Sequence, residues 1–431
     1  MIPRKPFDIS WADLLYGLRS CFQRGDVSGE SGPWSGEENV ECLSVRSGFD
    51  ALLSTLALPA GSEVLVSAVT IRDMALLLEQ HGLVPVPIDV SFTSLEIDHA
   101  ALRRAVTPRT KAILVAHLLG SRMPLAALMK FASEHDLFVL EDCAQAYTGD
   151  DYHGHPAADV SMFSFGPIKT ATALGGGVLR FRDAELAQRV RQHMSDWPRQ
   201  SNRQFFTRLL KYATLHALSH RAPCTVIYTV LRWLGIDHDR LISRSVRGFA
   251  GGDFLTKIRR QPSVALKRLL HRRLTTYSAA QTAERTRLAR LAVELLDAEV
   301  PGRDIASHSF WVFLILHDEP DALQHYLLRH GFDATRGTSS MYVLPGTVVN
   351  SCPPLATAAY DRMLYLPIYP GVSEREIRRM AALIAQFTAE HRDERSSDVD
   401  RRLAAVDPAH EIPPPRIVEQ SRQAAGHRVD S

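Results

Sequence analysis

Lys111-Ala112-Ile113-Leu114-Val115-Ala116 and Leu137-Phe138-Val139-Leu140-Glu141 are apolar runs of strand length. Between them, Pro124 to His135 has the pattern of a helix with proline at its first turn. Toward the N-terminus, Glu63-Val64-Leu65-Val66 reads as a strand and Arg72 to His81 as a helix. Val84-Pro85-Val86-Pro87-Ile88 reads as a strand whose prolines suit a sheet edge. Toward the C-terminus, Val160 to Phe165 and Gly177 to Phe181 complete the series. Such alternation from about residue 40 to 195 predicts an α/β fold with a mostly parallel mixed sheet and helices on both faces. Ligands of such sheets sit beyond the carboxyl ends of the strands. Asp142, His117 and Ser164 fall at or near those ends.

The run Phe163-Ser164-Phe165-Gly166-Pro167-Ile168 stops at a lone amine, Lys169, and Gly175-Gly176-Gly177 soon follows. A desolvated ammonium is strongly disfavoured, so a lysine ending a buried strand implies a depressed pKa. The usual use of such an amine is a Schiff base with a carbonyl compound or with pyridoxal phosphate (PLP). Asp142 ends the neighbouring run Leu140-Glu141-Asp142-Cys143-Ala144-Gln145-Ala146 on a carboxylate. The two strand ends together predict a PLP site.

The bulk numbers limit the alternatives. The 431 residues are 45% hydrophobic and 23% charged, enough for a large core and two or three domains. A net charge of +2 carries no nucleic-acid footprint. Cys21, Cys42, Cys143, Cys224 and Cys352 lack CxxC spacing and fit free thiols in a reducing compartment. The start Met1-Ile2-Pro3-Arg4-Lys5-Pro6 leads into no apolar signal core, so a cytoplasmic protein is expected. No Walker loop, Rossmann fingerprint or nucleophile elbow is present. His153-Gly154-His155 lacks a third ligand, and no metal site is expected.

Residues 1–265 are expected to form a large domain with an N-terminal arm, where Ser10 and Asp13 open a short helix. This domain carries an apolar helical insertion at about 203–245. A basic helical stretch from Ser263 to about Leu296 leads into a smaller α+β domain, 266–390. That domain has a strand at Phe310 to Leu316 and a helix Asp321 to Arg329 ending at His330-Gly331. It closes on a helix opened by the capping box Ser373/Glu376. The tail 391–431, with Pro413-Pro414-Pro415, is too polar to fold alone.

At four places the chain resembles the DegT/DnrJ/EryC1/StrS sugar aminotransferases, fold-type I PLP enzymes. These are Val45-Arg46-Ser47-Gly48-Phe49-Asp50-Ala51-Leu52, Thr107-Pro108-Arg109-Thr110-Lys111-Ala112-Ile113 with His117, Glu141-Asp142-Cys143-Ala144-Gln145-Ala146, and Phe163 to Lys169 with Gly176-Gly177. The closing stretch Leu364 to Ile377 is similar to the family's as well. The resemblance implies that Lys169 binds the cofactor and shuttles the proton, and that Asp142 faces the pyridine nitrogen. It implies that Ser164, Gly48 and the backbone at Phe49 and Asp50 hold the phosphate. Gln145 would touch the ring hydroxyl side, Ala144 would pack on a ring face, and His117 would border the site. Ile71 stands where the family has a stacking aromatic.

The departures are specific. Phe49 replaces a threonine, Asp50 adds negative charge near a phosphate, and Gly175 replaces an acidic position. The family's "N-Y-R" element, which reaches a neighbouring subunit's cofactor, has only Arg260-Gln261-Pro262-Ser263 as its nearest counterpart. Relatives that dehydrate sugars carry histidine where this chain keeps Lys169. The resemblance therefore implies a homodimeric aminotransferase moving nitrogen from an amino acid such as glutamate to a keto-sugar, nucleotide-linked, for glycoconjugate or secondary-metabolite biosynthesis. Trp311, Arg336 and Tyr342 are candidate substrate neighbours. Phe49 and Ile71 keep a second reading open, a non-catalytic PLP-fold regulator, and a non-sugar or lipid-linked carbonyl is a third. For Phe205 to Leu234 the plain reading is a dimer contact or substrate lid. The sharper one is an interfacial segment meeting a membrane surface or a lipid-linked substrate.

Overall fold

Alternate residues of the central strands are buried on opposite faces, which is why their sequences are mostly apolar. Leu65, Ile113, Val115 and Val139 enter one core, while Val64, Val66, Leu114 and Leu140 enter another. The computed structural model describes residues 1–25, 34–234, 253–337, 341–346 and 353–404. Its main sheet contains β1 (Asn39–Cys42), β2 (Glu63–Ser67), β3 (Val84–Ile88), β4 (Thr110–Ala116), β5 (Phe138–Asp142), β6 (Val160–Ser164) and β7 (Gly177–Phe181). The spatial order is β1-β7-β6-β5-β4-β2-β3. Pairing is parallel from β3 through β6, and antiparallel at β6–β7 and β7–β1. The expected α/β class and mostly parallel mixed sheet are present.

The proline-bearing strand β3 lies at the sheet edge. Val84 donates its N–H to Ser62 beside β2, so the missing N–H groups of Pro85 and Pro87 fall on the open side.

Helices α1 (Trp11–Ser20), α2 (Val45–Leu56), α3 (Arg72–Gln80), α4 (His99–Ala105), α5 (Ala126–Glu134) and α6 (Ala184–Ser195) accompany the sheet. The expected insertion supplies α7 (Asn202–Leu218) and α8 (Arg221–Trp233); residues 235–245 of it lie outside the described residues. Both capping boxes form, Ser10 with Asp13 and Ser373 with Glu376.

Some boundaries differ from the sequence reading. Helix α5 starts at Ala126, so Pro124 precedes it rather than sitting in its first turn. The stretch after Ser263 is two helices, Val264–Thr276 and Ala279–Leu295, because Tyr277 is extended and Ser278 caps the second. The strand expected from Phe310 is limited to Phe313–Leu316, since Phe310 itself has φ 45°. The last helix, Glu374–Ala404, continues past residue 391, where the tail was expected to begin; residues 405–431 lie outside the described residues. By compactness the chain divides into Met1–Ala385 and Gln386–Ser431, and the first unit contains every site residue discussed below. Cys21, Cys42, Cys143 and Cys224 are free thiols; Cys352 lies outside the described residues. Among the described residues no helix is long and apolar enough to cross a membrane.

Candidate active site

A cavity of about 160 Å³ lies at the carboxyl ends of β4, β5 and β6, lined there by Ala116, Asp142 and Ser164. Lys169, Ala144, Gln145 and Ile71 also line it. Six of the ten expected site residues therefore share one cavity.

Lys169 is carried on the loop after β6. Two non-glycine residues of that loop, Ala171 and Leu174, sit in the left-handed region at φ 51° and 61°. Such conformations cost roughly 1–3 kcal/mol each and persist where surroundings over-determine them. Here the Thr172 hydroxyl donates to the Gly166 carbonyl at 2.7 Å and accepts from the Leu174 N–H at 2.9 Å. The Ala171 N–H donates to Asp8 at 3.0 Å.

The amine of Lys169 faces the cavity but is shielded from bulk water, and this desolvation lowers its pKa to about 8. The Asp142 carboxylate opposes the shift, and burial in turn pushes Asp142 above its ordinary value. The Ala144 N–H donates to Asp142 Oδ1 at 2.9 Å and orients it. Lys169 Nζ lies 4.3 Å from the centre of the Trp311 indole, whose N–H donates to the Ile168 carbonyl at 3.2 Å. Gly120 lets that wall close: a Cβ there would lie 2.5 Å from the Trp311 backbone nitrogen.

The other four expected residues are elsewhere, and helix periodicity explains three of them. The N-terminal turn of α2 presents Ser44, Val45 and Arg46 to the cavity, and Ser44 caps the helix. One turn later, Phe49 is fully buried in the core under the sheet. Asp50 turns to His81 at 2.9 Å and to Arg259 at 2.8 and 3.0 Å, and the hydrogen bonds from these partners hold its pKa down against burial. Gly48 permits close packing, because a Cβ there would lie 2.5 Å from Leu179 and 3.0 Å from Cys42 Sγ. The fourth, His117, is buried behind the site and bonded to Glu141 at 2.8 Å. Glu141 also accepts from Ser161 at 2.5 Å, from the His155 N–H at 2.8 Å and from Tyr152. These partners, His117 foremost, draw its pKa down to about 2 against desolvation. His117, Glu141 and Cys143 offer ligand atoms within 4.8 Å of one another, but burial keeps the Cys143 thiol protonated, well above its ordinary pKa.

Of the candidate substrate neighbours, Trp311 lines the cavity while Arg336 and Tyr342 do not. Arg336 bonds the Asp361 carbonyl at 2.7 Å and Asp321 at 2.9 Å. Tyr342 pairs along Thr70, and its neighbour Met341 reaches the cavity instead. In Arg260 to Ser263, Gln261 bonds the carbonyls of Ser195 and Trp197, and Ser263 caps a helix; neither residue lines this cavity.

One residue was not anticipated. Arg208 of α7 enters the cavity beside Gly175, Gly176 and Ser164. Its Nε is buried without a hydrogen-bond partner, and burial lowers its pKa from the ordinary value. An unpaired guanidinium beside a helix N-terminus forms an anion site. A cofactor with an aldehyde, a ring nitrogen and a phosphate would meet Lys169, Asp142 and Arg208 at its three polar points, so these residues fit PLP. Phe205, Arg208, Leu209 and Tyr212 share one helix face, and the other three are buried. A cation at a core position of an amphipathic helix was the sequence signal for Arg208.

Residues 36–215 match the model of the DegT/DnrJ/EryC1/StrS aminotransferase family. The erythromycin biosynthesis sensory transduction protein EryC1 of Saccharopolyspora erythraea is 42% identical over 161 residues, covering 36% of this chain and 44% of its own. The dTDP-3-amino-3,4,6-trideoxy-alpha-D-glucose transaminase of Streptomyces venezuelae is 36% identical over 161 residues, 36% of this chain and 42% of its own. The chain thus spans less than half the length of these two curated relatives. Among solved structures, the aminotransferase TlmJ of Streptoalloteichus hindustanus superposes with TM-score 0.60 at 20% identity, covering 89% of this chain and 93% of that one. The putative sugar aminotransferase Spr1654 of Streptococcus pneumoniae, PMP-form, gives 0.63 at 15% identity, covering 91% and 99%. These two likenesses concern the fold. The matched stretch, residues 36–215, holds Asp142, Ser164, Lys169 and Arg208 and is similar to the DegT/DnrJ/EryC1/StrS aminotransferase family.

Proposed function

We propose that the protein is a PLP-dependent aminotransferase that moves nitrogen from an amino acid, glutamate in the first instance, to a keto-sugar. The observation that carries this reading is a desolvated amine and a buried carboxylate, Lys169 and Asp142, lining one cavity. Curated relatives named as transaminases of dTDP-linked and UDP-linked sugars support the substrate class and its biosynthetic setting. The relative named L-glutamine:2-deoxy-scyllo-inosose aminotransferase supports an amino-acid donor.

When bound, PLP supplies an aldehyde for covalent capture of amines and a ring that accepts the electron pair left by a departing proton. The protein contributes the rest. Arg208, the Ser164 hydroxyl and the N-terminal turn of α2 would hold the phosphate. Asp142, as carboxylate, would keep the ring nitrogen protonated. Ala144 and Ile71 would give apolar walls to the ring, and Gln145 would address its hydroxyl side. Lys169 would take the proton from the donor's Cα and return it at the neighbouring carbon. A pKa of about 8 suits that task near neutral pH, where neither protonation state is remote.

The homodimer implied by the resemblance is part of this reading and is measured by light scattering. Phe49 lies in the core and cannot block the cofactor, which weakens the case for a non-catalytic regulator. The test is spectral. The purified protein should be yellow, lose its visible band on borohydride treatment with labelling at Lys169, and bleach with the amino donor. A keto-sugar nucleotide should then restore the band. Turnover by Lys169→Ala protein would overturn the assignment.

A further inference from the structure

A second cavity, of about 260 Å³, shares Ile168 and Trp311 with the first. Trp311 is therefore the partition: Lys169 lies 4.3 Å from its ring centre, and Lys5, which lines the second cavity, lies 4.6 Å from it. The walls beyond the partition are apolar. Leu215 and Leu218 come from α7, Ile227 from α8, Phe313 and Leu366 from a pair of antiparallel strands, and Phe7 from the N-terminal arm.

The charges in this chamber are already engaged. Arg4 pairs with Asp333 at 2.9 and 3.0 Å. Lys5 donates to the Trp311 carbonyl at 2.8 Å, and burial pushes its amine well below the ordinary lysine pKa. A diphosphate placed here would find no uncommitted cation among the described residues that line the chamber, whereas hydrocarbon would replace nothing but contact with water. A carbonyl held at Lys169 would lie next to the indole that also borders the chamber. Helix α8, which supplies Ile227, is apolar outward as well, with Val226 63% and Trp233 84% exposed.

We propose that the chamber beside Trp311 binds an aliphatic arm of the amino acceptor, so that the substrate is a carbonyl compound, sugar or otherwise, carrying a hydrocarbon chain. This rests on the reading of Lys169 as the amino-transfer lysine, and it replaces a purely polar acceptor with an amphiphilic one. The chain would lie along α7 and α8 while the carbonyl reaches Lys169 past the indole edge.

Two measurements test it. In the first, holoenzyme bleached by its amino donor is mixed with straight-chain aldehydes from butanal to decanal, and return of the visible band gives kcat/KM. The rate constant should rise about three- to fourfold per added methylene, the equivalent of about 0.8 kcal/mol each, then level off when the chamber is full. Leu215→Phe with Ile227→Phe, shown by its melting temperature to be folded, should level off at a shorter chain. In the second, calorimetry measures 1-octanol binding to the holoprotein. Binding with a negative heat-capacity change, weakened at least tenfold in the double variant, supports the chamber without any turnover. Bleaching by an amino donor together with chain-length-independent rates and no octanol binding overturns the chamber and leaves the aminotransferase reading standing. Octanol binding in a protein that no amino donor bleaches supports the chamber and sinks the aminotransferase reading instead.

Discussion

Arg208→Gln should have opposite consequences in the two forms of the protein. Without cofactor, Arg208 has a buried Nε that makes no hydrogen bond, and burial already disfavours its charged state. Replacing it with a shorter neutral side chain removes that desolvation cost, so the apo-protein should be as stable as wild type or more stable. With PLP bound, the same guanidinium would lie against a dianionic phosphate, where a charge-assisted hydrogen bond contributes about 1.5–3 kcal/mol. Its loss should weaken PLP binding roughly 10- to 150-fold. Arg208→Lys should recover part of this, because it keeps the charge and loses the planar fork. Cofactor affinity is measured by titrating apo-protein with PLP and following the visible band, and apo-stability by urea unfolding of the same samples. A purely structural arginine gives the reverse pattern. If Arg208→Gln destabilises the apo-protein by more than about 1 kcal/mol and leaves PLP affinity unchanged, the anion site is refuted.

Other expectations follow from the same geometry. The folded pKa of Lys169 is lowered to about 8 from 10.5, so its protonated form opposes folding below that pH, and the penalty fades as pH rises toward 10.5. Lys169→Met should therefore stabilise the apo-protein by up to about 3 kcal/mol at pH 7 and by almost nothing above pH ~10.5, as read from urea midpoints across pH. Glu141 shows the opposite sign: its folded pKa is held at about 2, below 4.5, so its contribution is complete above pH 4.5 and is lost as pH falls toward 2. Acid unfolding of Glu141→Gln, followed by circular dichroism, should accordingly be less steep across that interval than in wild type. Phe49→Thr, which restores the family's hydroxyl, should cost about 3 kcal/mol or more as a large-to-small core change, with PLP affinity unaltered. Gly120→Ala should displace Trp311, lowering kcat/KM for the keto acceptor more than for the amino donor.

The sheet was legible because both of its faces are buried, so its central strands are mostly apolar runs. Lys169, Asp142 and Ser164 were legible for a related reason: polar groups ending such runs stand out against them. What sequence order could not give was direction around a helix. Val45 to Leu52 resembles one phosphate-cradling stretch, yet only its first turn faces the cavity, and the next turn carries Phe49 inward and Asp50 toward Arg259. His117 stands at its strand end as expected, but its partner Glu141, one residue before Asp142, points to the other side of β5. Arg208 was hidden by distance, because nothing local ties a helix beyond β7 to the loop after β6. The helix break at Tyr277-Ser278 was missed since both flanking segments are basic and helical in pattern, and only the serine cap separates them.

These departures combine into one electrostatic rearrangement at the phosphate end. A carboxylate at position 50 would repel a bound phosphate if it shared the cavity. Its two neighbours, His81 and Arg259, instead fix it on the far side of α2, fully buried and paired. With Phe49 filling the core, α2 contributes backbone donors and the Ser44 cap, and no threonine hydroxyl. Arg46 of that turn is already paired with Asp73, and the helix terminus by itself stabilises an anion by only about 0.3–1 kcal/mol, up to ~2 when partly buried. Arg208 would restore the balance from within the same chain: helix α7 brings a guanidinium whose buried Nε has no hydrogen-bond partner into the same cavity. The insertion that places it also builds the apolar wall of the chamber behind Trp311 through Leu215, Leu218 and Ile227. On these two proposals, cofactor anchoring and acceptor recognition would depend on neighbouring turns of a single segment. Deleting residues 203–245 should then impair PLP retention and aliphatic-acceptor discrimination together, whereas Arg208→Gln alone should impair only the first.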